Sequence, residues 1–232
     1  MFARYYNSAT GRFLSPDWSA KVEPVPYAKL DDPQSLNLYS YARNNPLRNV
    51  DLDGHCDSSA NATAATKCQN VSNLHASGEY KDKLKALEGE GKDHTPLSEY
   101  KDIGDGHHTA GWGHVDDSKA LGTKVSAADA QKLFDADVKT NEDSTRKVLT
   151  DNGNHQFSQG EFDALVDLQF NGNLLNSDKS PTLMKAINGG DYDAVANNLR
   201  YTMATDSNGN KVQMGGLVDR SNAREDMVKG KY

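Results

Sequence analysis

Two carboxyl groups and a hydroxyl group that could act together lie within residues 88–114. They belong to Glu88, Asp102 and Thr109, in a stretch rich in glycine. A carboxylic acid facing a carboxylate is the pair needed to break a glycosidic bond, because one group protonates the leaving oxygen while the other manages water or the cation. The alternative is that these acidic residues are simply solvated beside turns.

Local patterns predict how the chain positions these side chains. Apolar residues recur at helical spacing in Tyr80, Leu84 and Leu87. With Ser77 as its N-cap, a helix should run from about residue 78 to residue 88 and end at a glycine. Glu88 would then lie on the last turn. Burial against apolar neighbours is expected to keep its carboxyl group protonated.

A hairpin is predicted immediately after this helix. Residues 100–102 and 108–110 flank the Gly-Asp-Gly sequence at 104–106, which is a strong turn signal between two short strands. The hairpin would carry Asp102, Asp105 and Thr109 past the end of the helix.

The same residues resemble a known signature. Glu88-Gly89, Tyr100-x-Asp102 and the sequence TAGWGH at 109–114 are similar to the motif of the phage-type lysozymes, the muramidase family of T-even and lambdoid phage endolysins. The resemblance implies that Glu88 is the general acid, that Asp102 positions or activates water, and that Thr109 holds this water. It implies peptidoglycan glycan strands as the substrate and no cofactor.

The spacing differs from the family pattern. The family has E-x8-D-x5-T, whereas this chain has thirteen residues between Glu88 and Asp102 and six between Asp102 and Thr109. Asp105 therefore stays an alternative to Asp102 as the second carboxylate. Glu90 also precedes a glycine, but the apolar residue before Glu88 fits the motif better.

The second half of the chain is predicted to be helical. Ser126 and Ser158 each begin a capping-box pattern, the first before a long helix with one apolar stripe and the second before a helix at 162–170 that is apolar on most sides. Further helices are predicted at 182–188, 191–201 and 217–229. Phe170-Asn171-Gly172-Asn173 resembles the family's F-N-x-G at the sugar cleft, so Phe170 and Asn171 are candidate substrate-binding residues; for Asn171 the alternative is helix capping.

The resemblance extends to the closing region and defines the expected fold. Gly216-Leu217 with Arg220, Arg224 and Glu225 is similar to the family's final motif, so the likeness covers about residues 78–229. It implies an α+β fold: a mostly helical lysozyme-like domain with a small β-hairpin next to the active-site helix.

Residues 1–54 have a different character, with aromatic residues alternating with polar ones between turns. They closely resemble the C-terminal end of the Rhs repeat-associated core, at positions Arg4, Tyr5, Tyr6, Gly11, Arg12, Phe13, Asp17, Asn37, Tyr39, Tyr41, Asn44, Asn45, Pro46, Asp51 and Gly54. The resemblance implies a β-rich remnant of a toxin-enclosing shell, with self-cleavage near Gly54. A docking remnant without chemistry is the alternative.

These patterns divide the chain into three parts. Residues 1–54 are the Rhs core segment, residues 55–76 are a linker rich in small polar residues, and residues 77–232 are the lysozyme-like toxin domain. Cys56 and Cys68 form either a disulfide or two free thiols. The resemblances imply a secreted antibacterial effector that acts in the periplasm or cell wall of target bacteria, with a cognate immunity protein and the remaining Rhs shell as partners.

Composition and charge limit the other kinds of protein that this chain could be. A net charge of −7 argues against a nucleic-acid binder, and no apolar run is long enough to span a membrane. A signal-peptide pattern is absent from the first residues. No metal site is predicted, since the adjacent His107 and His108 would point to opposite faces of a strand, and His114 is expected to form a structural hydrogen bond or ion pair. A wall-binding module without activity and a lytic transglycosylase are the alternative functions.

Overall fold

The described part of the protein comes from a computed structural model and comprises residues 5–14, 37, 39, 67–89, 100–101, 108–116, 125–153, 156–189, 192–205 and 209–232. Several predictions concern residues outside these ranges. They include the choice between Asp102 and Asp105, the pairing of Cys56, and cleavage near Gly54.

Six α-helices form most of the described structure: α1 (Gly78–Gly89), α2 (Ala127–Asp151), α3 (Gln159–Phe170), α4 (Pro181–Gly189), α5 (Tyr192–Asn197) and α6 (Gly215–Val228). Helix α3 packs against both α2 and α6, and every residue from Gly160 to Gln169 is buried. This confirms the prediction that α3 is central. A helix surrounded on most sides needs apolar residues around most of its circumference, as its sequence has.

Side-chain caps fix the starts of the three helices on which the site depends. The Oγ atom of Ser77 accepts a hydrogen bond from the backbone N–H of Tyr80, at 3.0 Å. Ser126 caps α2 in the same way. At α3, Ser158 and Glu161 form the reciprocal capping box that the sequence predicts. These caps pair backbone N–H groups that the helix itself leaves without partners.

A three-stranded antiparallel sheet stands beside α1. Its strands are numbered by their place along the chain: β4 (Tyr100–Lys101), β5 (His108–Ala110) and β6 (His114–Val115), in that order across the sheet. Tyr100 lies opposite Thr109, and Lys101 lies opposite His108. The predicted hairpin is confirmed, and β6 adds a third strand that the sequence analysis did not include.

Two further strand pairs lie at the start of the described chain and before the central helix. Strands β1 (Tyr6–Asn7) and β2 (Arg12–Phe13) pair in the N-terminal segment, and β3 (Cys68–Asn70) pairs with β7 (Gln156–Ser158). The β3–β7 pair corrects the linker prediction for residues 67–76. Val71, Leu74 and Ala76 from this stretch are buried in the core. The stretch is rich in small polar residues, so its three buried apolar residues were not recognised as part of the core. Its strand was missed because the partner strand is distant in the sequence.

A second correction concerns residues 191–201, which were predicted to be one helix. Helix α5 ends at Asn197, and strands β8 (Met203–Thr205) and β9 (Lys211–Gln213) follow as a hairpin before α6. The sequence contains Asn208-Gly209, a dipeptide favoured in hairpin turns, and Gly209 has a φ of +84°. In the described ranges, every helix is too short or too polar to cross a bilayer.

Candidate active site

Glu88 lies on the last turn of α1, against the turn between β5 and β6. A β carbon placed on Gly113 would lie 3.2 Å from Oε2 of Glu88 and 3.5 Å from the ring of Phe170, and Gly113 has a φ of +86°. Only glycine tolerates both this close approach and this backbone conformation without strain. The turn therefore brings the backbone of Gly113 directly against the carboxyl group of Glu88.

One partner of Glu88 is an arginine. Nη1 of Arg220, from α6, donates a hydrogen bond to Oε1 of Glu88. The Arg220 guanidinium also lies 5.6 Å from the centre of the Phe170 ring. The expectation that Glu88 is partly buried against apolar neighbours did not include this cationic partner. The Glu88 side chain retains 11% exposure, so the ion pair is close to the surface.

A buried carboxylate holds Arg220 from the other side. Asp167 of α3 is fully buried, and it accepts hydrogen bonds of 3.0 to 3.1 Å from Nε and Nη2 of Arg220 and one of 2.6 Å from Nε of Arg224. Burial alone would raise the pKa of Asp167, but the two guanidinium groups outweigh burial and hold that pKa below its ordinary value. Asp167 is therefore an anion in the core at neutral pH.

The same charges act on Arg220. Burial would lower the pKa of Arg220, but Asp167 and then Glu88 raise it well above its ordinary value. Glu88, Arg220, Asp167 and Arg224 are thus linked in one chain of hydrogen bonds in which carboxyl and guanidinium groups alternate. We call these four residues the arginine cluster.

The end of α3 borders this cluster. Phe170 contacts the turn at Gly113, and the side-chain oxygen of Asn171 accepts a hydrogen bond from Nη2 of Arg224, at 2.8 Å. The backbone N–H of Asn171 caps α3 by donating to the carbonyl oxygen of Asp167. Asn171 therefore has a capping role in its backbone and a link to the arginine cluster in its side chain.

The sheet that carries the Gly113 turn also supplies Thr109 and His114. Thr109 is buried in β5, four residues before Gly113. Nδ1 of His114 lies 2.8 Å from Oδ2 of Asp137 in α2, which is the kind of contact predicted for this histidine. Across the ranges that the structure describes, no group of three or more His, Cys, Asp or Glu side chains is arranged to hold a metal ion.

Sequence reasoning named Arg220 and Arg224 only as part of a motif, and it missed Asp167 and the special position of Gly113. A signal for Asp167 was present. Asp163 and Asp167 lie one turn apart within a helix that is otherwise almost continuously apolar, and buried carboxylates need partners. What the sequence could not give is that both arginines come from a helix more than fifty residues later.

Comparison with known proteins identifies a family. The phage lysozyme family matches residues 90–224, a span that begins two residues after Glu88 and includes Asp102, Thr109 and Arg220. No curated protein matches the chain.

Two solved structures are similar to the chain. The muramidase domain of SpmX from Asticaccaulis excentricus aligns at 23% identity with a TM-score of 0.52, over 67% of this chain and 98% of that one. An endolysin from Escherichia coli O157:H7 phage FAHEc1 aligns at 25% identity with a TM-score of 0.51, over 67% of this chain and 94% of that one. Because the family match spans more than half of the chain, the protein belongs to the phage lysozyme family and is a glycoside hydrolase of the lysozyme type.

Proposed function

We propose that the enzyme hydrolyses the β-1,4 bond between N-acetylmuramic acid and N-acetylglucosamine in peptidoglycan, with Glu88 as the general acid. Family membership supports peptidoglycan as the substrate. The observation that carries the choice of Glu88 is its position on the last turn of α1, partly exposed and directly against the glycine turn of the sheet that contains Thr109.

In the proposed reaction, Glu88 transfers its proton to the glycosidic oxygen as the bond from that oxygen to the sugar carbon breaks. Asp102, together with Thr109, presents a water molecule to this carbon from the opposite face and takes one of the water's protons. The water oxygen becomes the new hydroxyl of a reducing end. Inversion at the sugar carbon is expected where the two carboxyl groups stand far enough apart to hold the water.

Strand pairing supports Asp102 as the second carboxylate. Tyr100 pairs with Thr109, and Asp102 follows two residues after Tyr100 in the sequence. Asp105 is the alternative. Asp102→Asn and Asp105→Asn distinguish them, because only the residue that activates water should cost about 10²-fold or more in rate when its carboxylate is removed.

Phe170 and Asn171 are proposed to border the sugar site. The ring of Phe170 lies beside both Gly113 and Arg220, so it adjoins the carboxyl group of Glu88. Asn171 is fixed by Arg224 at the same end of α3. Substitution of Phe170 by leucine should raise KM more than it lowers kcat.

The decisive experiment compares the parent with Glu88→Gln on purified sacculi, by the release of reducing ends. Glutamine keeps the shape of the side chain but has no acidic proton to transfer, so the rate should fall by about 10² to 10⁴-fold. Glu79→Gln is the matched control, since Glu79 is an exposed residue on the first turn of the same helix. Equal rates for Glu88→Gln and the parent would refute the assignment.

Mass spectrometry of the released muropeptides separates the alternatives. Hydrolysis gives reducing ends, whereas a lytic transglycosylase gives anhydro ends. Binding to sacculi without release of either product would instead support a wall-binding module.

We further propose that the enzyme is an antibacterial Rhs-type effector, secreted to act in the periplasm or cell wall of target bacteria and neutralised in its producer by an immunity protein. The support is the resemblance of residues 1–54 to the Rhs core. Within it, the backbone N–H of Phe13 donates to the carbonyl oxygen of Tyr39 at 3.1 Å, which joins two separate parts of that motif.

Expression in a bacterial host tests this role. Chain directed to the periplasm by an added signal peptide should lyse the cells, whereas chain kept in the cytoplasm and periplasmic Glu88→Gln should not. Normal growth of cells that carry the active chain in the periplasm would contradict the proposed antibacterial role.

A further inference from the structure

Arg220 is shared between two carboxylates that come from different helices. Nη1 contacts Glu88 of α1, while Nε and Nη2 contact Asp167 of α3. Asp167 is fully buried, whereas the side chains of Arg220 and Glu88 keep exposures of 8% and 11%. The guanidinium group of Arg220 therefore links Asp167 directly to Glu88.

We propose that Asp167 is a positioning residue that engages Arg220 from behind and so leaves Glu88 able to hold the proton that it donates. The inference rests on the proposed role of Glu88 as general acid. A general acid must carry its proton at the working pH, and a buried arginine with no other anion beside it would oppose this. Asp167 supplies that other anion.

The charges within the arginine cluster support this role of Asp167. Asp167, Arg220 and Arg224 together carry one net positive charge, and removal of the Asp167 charge would raise this to two, with Arg220 in contact with Glu88. Tyr80 of α1 adds no charge, because burial raises the pKa of its phenol well above the ordinary value. Asp163, one turn earlier on α3, is engaged by the backbone and hydroxyl of Ser77 and by the Tyr232 hydroxyl.

The test is the titration of the Glu88 carboxyl carbon, followed by ¹³C NMR in the full chain, in the parent and in Asp167→Asn. Asparagine has the shape of aspartate without its charge. We expect the Glu88 midpoint to move to lower pH by about one unit or more. In activity assays, the rate of the variant relative to the parent should decline as pH rises, to about one tenth on the alkaline side of the profile.

Asp163→Asn is the matched control, because it removes a buried aspartate from the same helix that has no hydrogen bond to either arginine. It should leave the Glu88 midpoint in place. Asp167→Glu, which restores the charge, should return the midpoint toward that of the parent.

A second variant covers the case in which Asp167→Asn does not fold. Arg224→Gln leaves Asp167 paired with Arg220 and removes one cation, so the Glu88 midpoint should rise. An unchanged midpoint in folded Asp167→Asn, or in Arg224→Gln where the first does not fold, would overturn the proposal. The titration does not require hydrolysis, so failure of the proposed function would show separately, as full activity of Glu88→Gln.

Discussion

The central helix α3 carries two buried aspartates one turn apart, and they have opposite environments. Asp167 is held by two guanidinium groups in the arginine cluster. Asp163 accepts hydrogen bonds from the neutral side chains of Ser77, Gln159 and Tyr232. We call these four residues the hydroxyl cluster. Burial raises the pKa of Asp163 and outweighs these hydrogen bonds, whereas cations lower the pKa of Asp167 despite burial.

This difference separates the tasks of the two clusters. The hydroxyl cluster joins the start of α1 to α3 and to the last residue of the chain, and it needs only hydrogen bonds. The arginine cluster joins the end of α1 to α3 and α6, and within it the charged Arg220 lies beside Glu88. Helix α1 is therefore anchored at its first turn by neutral groups and at its last turn by charged ones.

The largest expected effect comes from removing the anion of the arginine cluster. Asp167→Ala leaves two buried arginines short of a partner and should lower the free energy of unfolding by about 3–5 kcal/mol. Asp163→Ala removes an acceptor from neutral donors only and should cost about 1–3 kcal/mol. Urea unfolding of both variants measures the difference. Equal losses would mean that the charges of the arginine cluster add nothing beyond ordinary hydrogen bonds.

The glycine turn is expected to show the next largest effect, in activity. In Gly113→Ala, the added methyl group must displace the carboxyl group of Glu88 or the turn itself, so hydrolysis should fall by more than about tenfold, in line with the sensitivity of catalysis to small misplacements. Gly153→Ala is the control, because Gly153 has a φ of +76° but open space around it. Both variants should lose about 1–2 kcal/mol of stability from backbone strain, but only the first should lose activity.

The dependence of stability on pH should distinguish the two aspartates by sign. The pKa of Asp167 is lowered by folding, so its contribution is present above the pKa of unfolded aspartate, about 3.9, and is lost as pH falls below that value. The pKa of Asp163 is raised by folding, so its protonation adds stability as pH falls toward and through that raised pKa.

Urea unfolding between pH 7 and pH 3 tests this contrast. The stability gap between the parent and Asp167→Asn should narrow in the acid range, whereas the gap between the parent and Asp163→Asn should widen. Gaps that change in the same direction would show that the two aspartates do not differ as their partners indicate.

Local signals in the sequence were enough for the elements that position the site. The caps at Ser77, Ser126 and Ser158 and the hairpin of β4 and β5 depend on residues within a few positions of one another, and each was predicted. The charge pattern of the arginine cluster was not predicted, because it is made by tertiary contacts between α3 and α6. The β3–β7 pair was missed for the same reason, since its strands lie almost ninety positions apart.

The smallest expected effect lies in the hydroxyl cluster. Tyr232→Phe removes one hydrogen bond, of 2.7 Å, to Asp163 and should lower the free energy of unfolding by about 1 kcal/mol. Activity should stay at the level of the parent, because Tyr232 lies at the first turn of α1 and Glu88 at the last. A loss of hydrolysis larger than the loss of folded protein would show that the two ends of α1 are coupled, and would remove the division of tasks between the clusters.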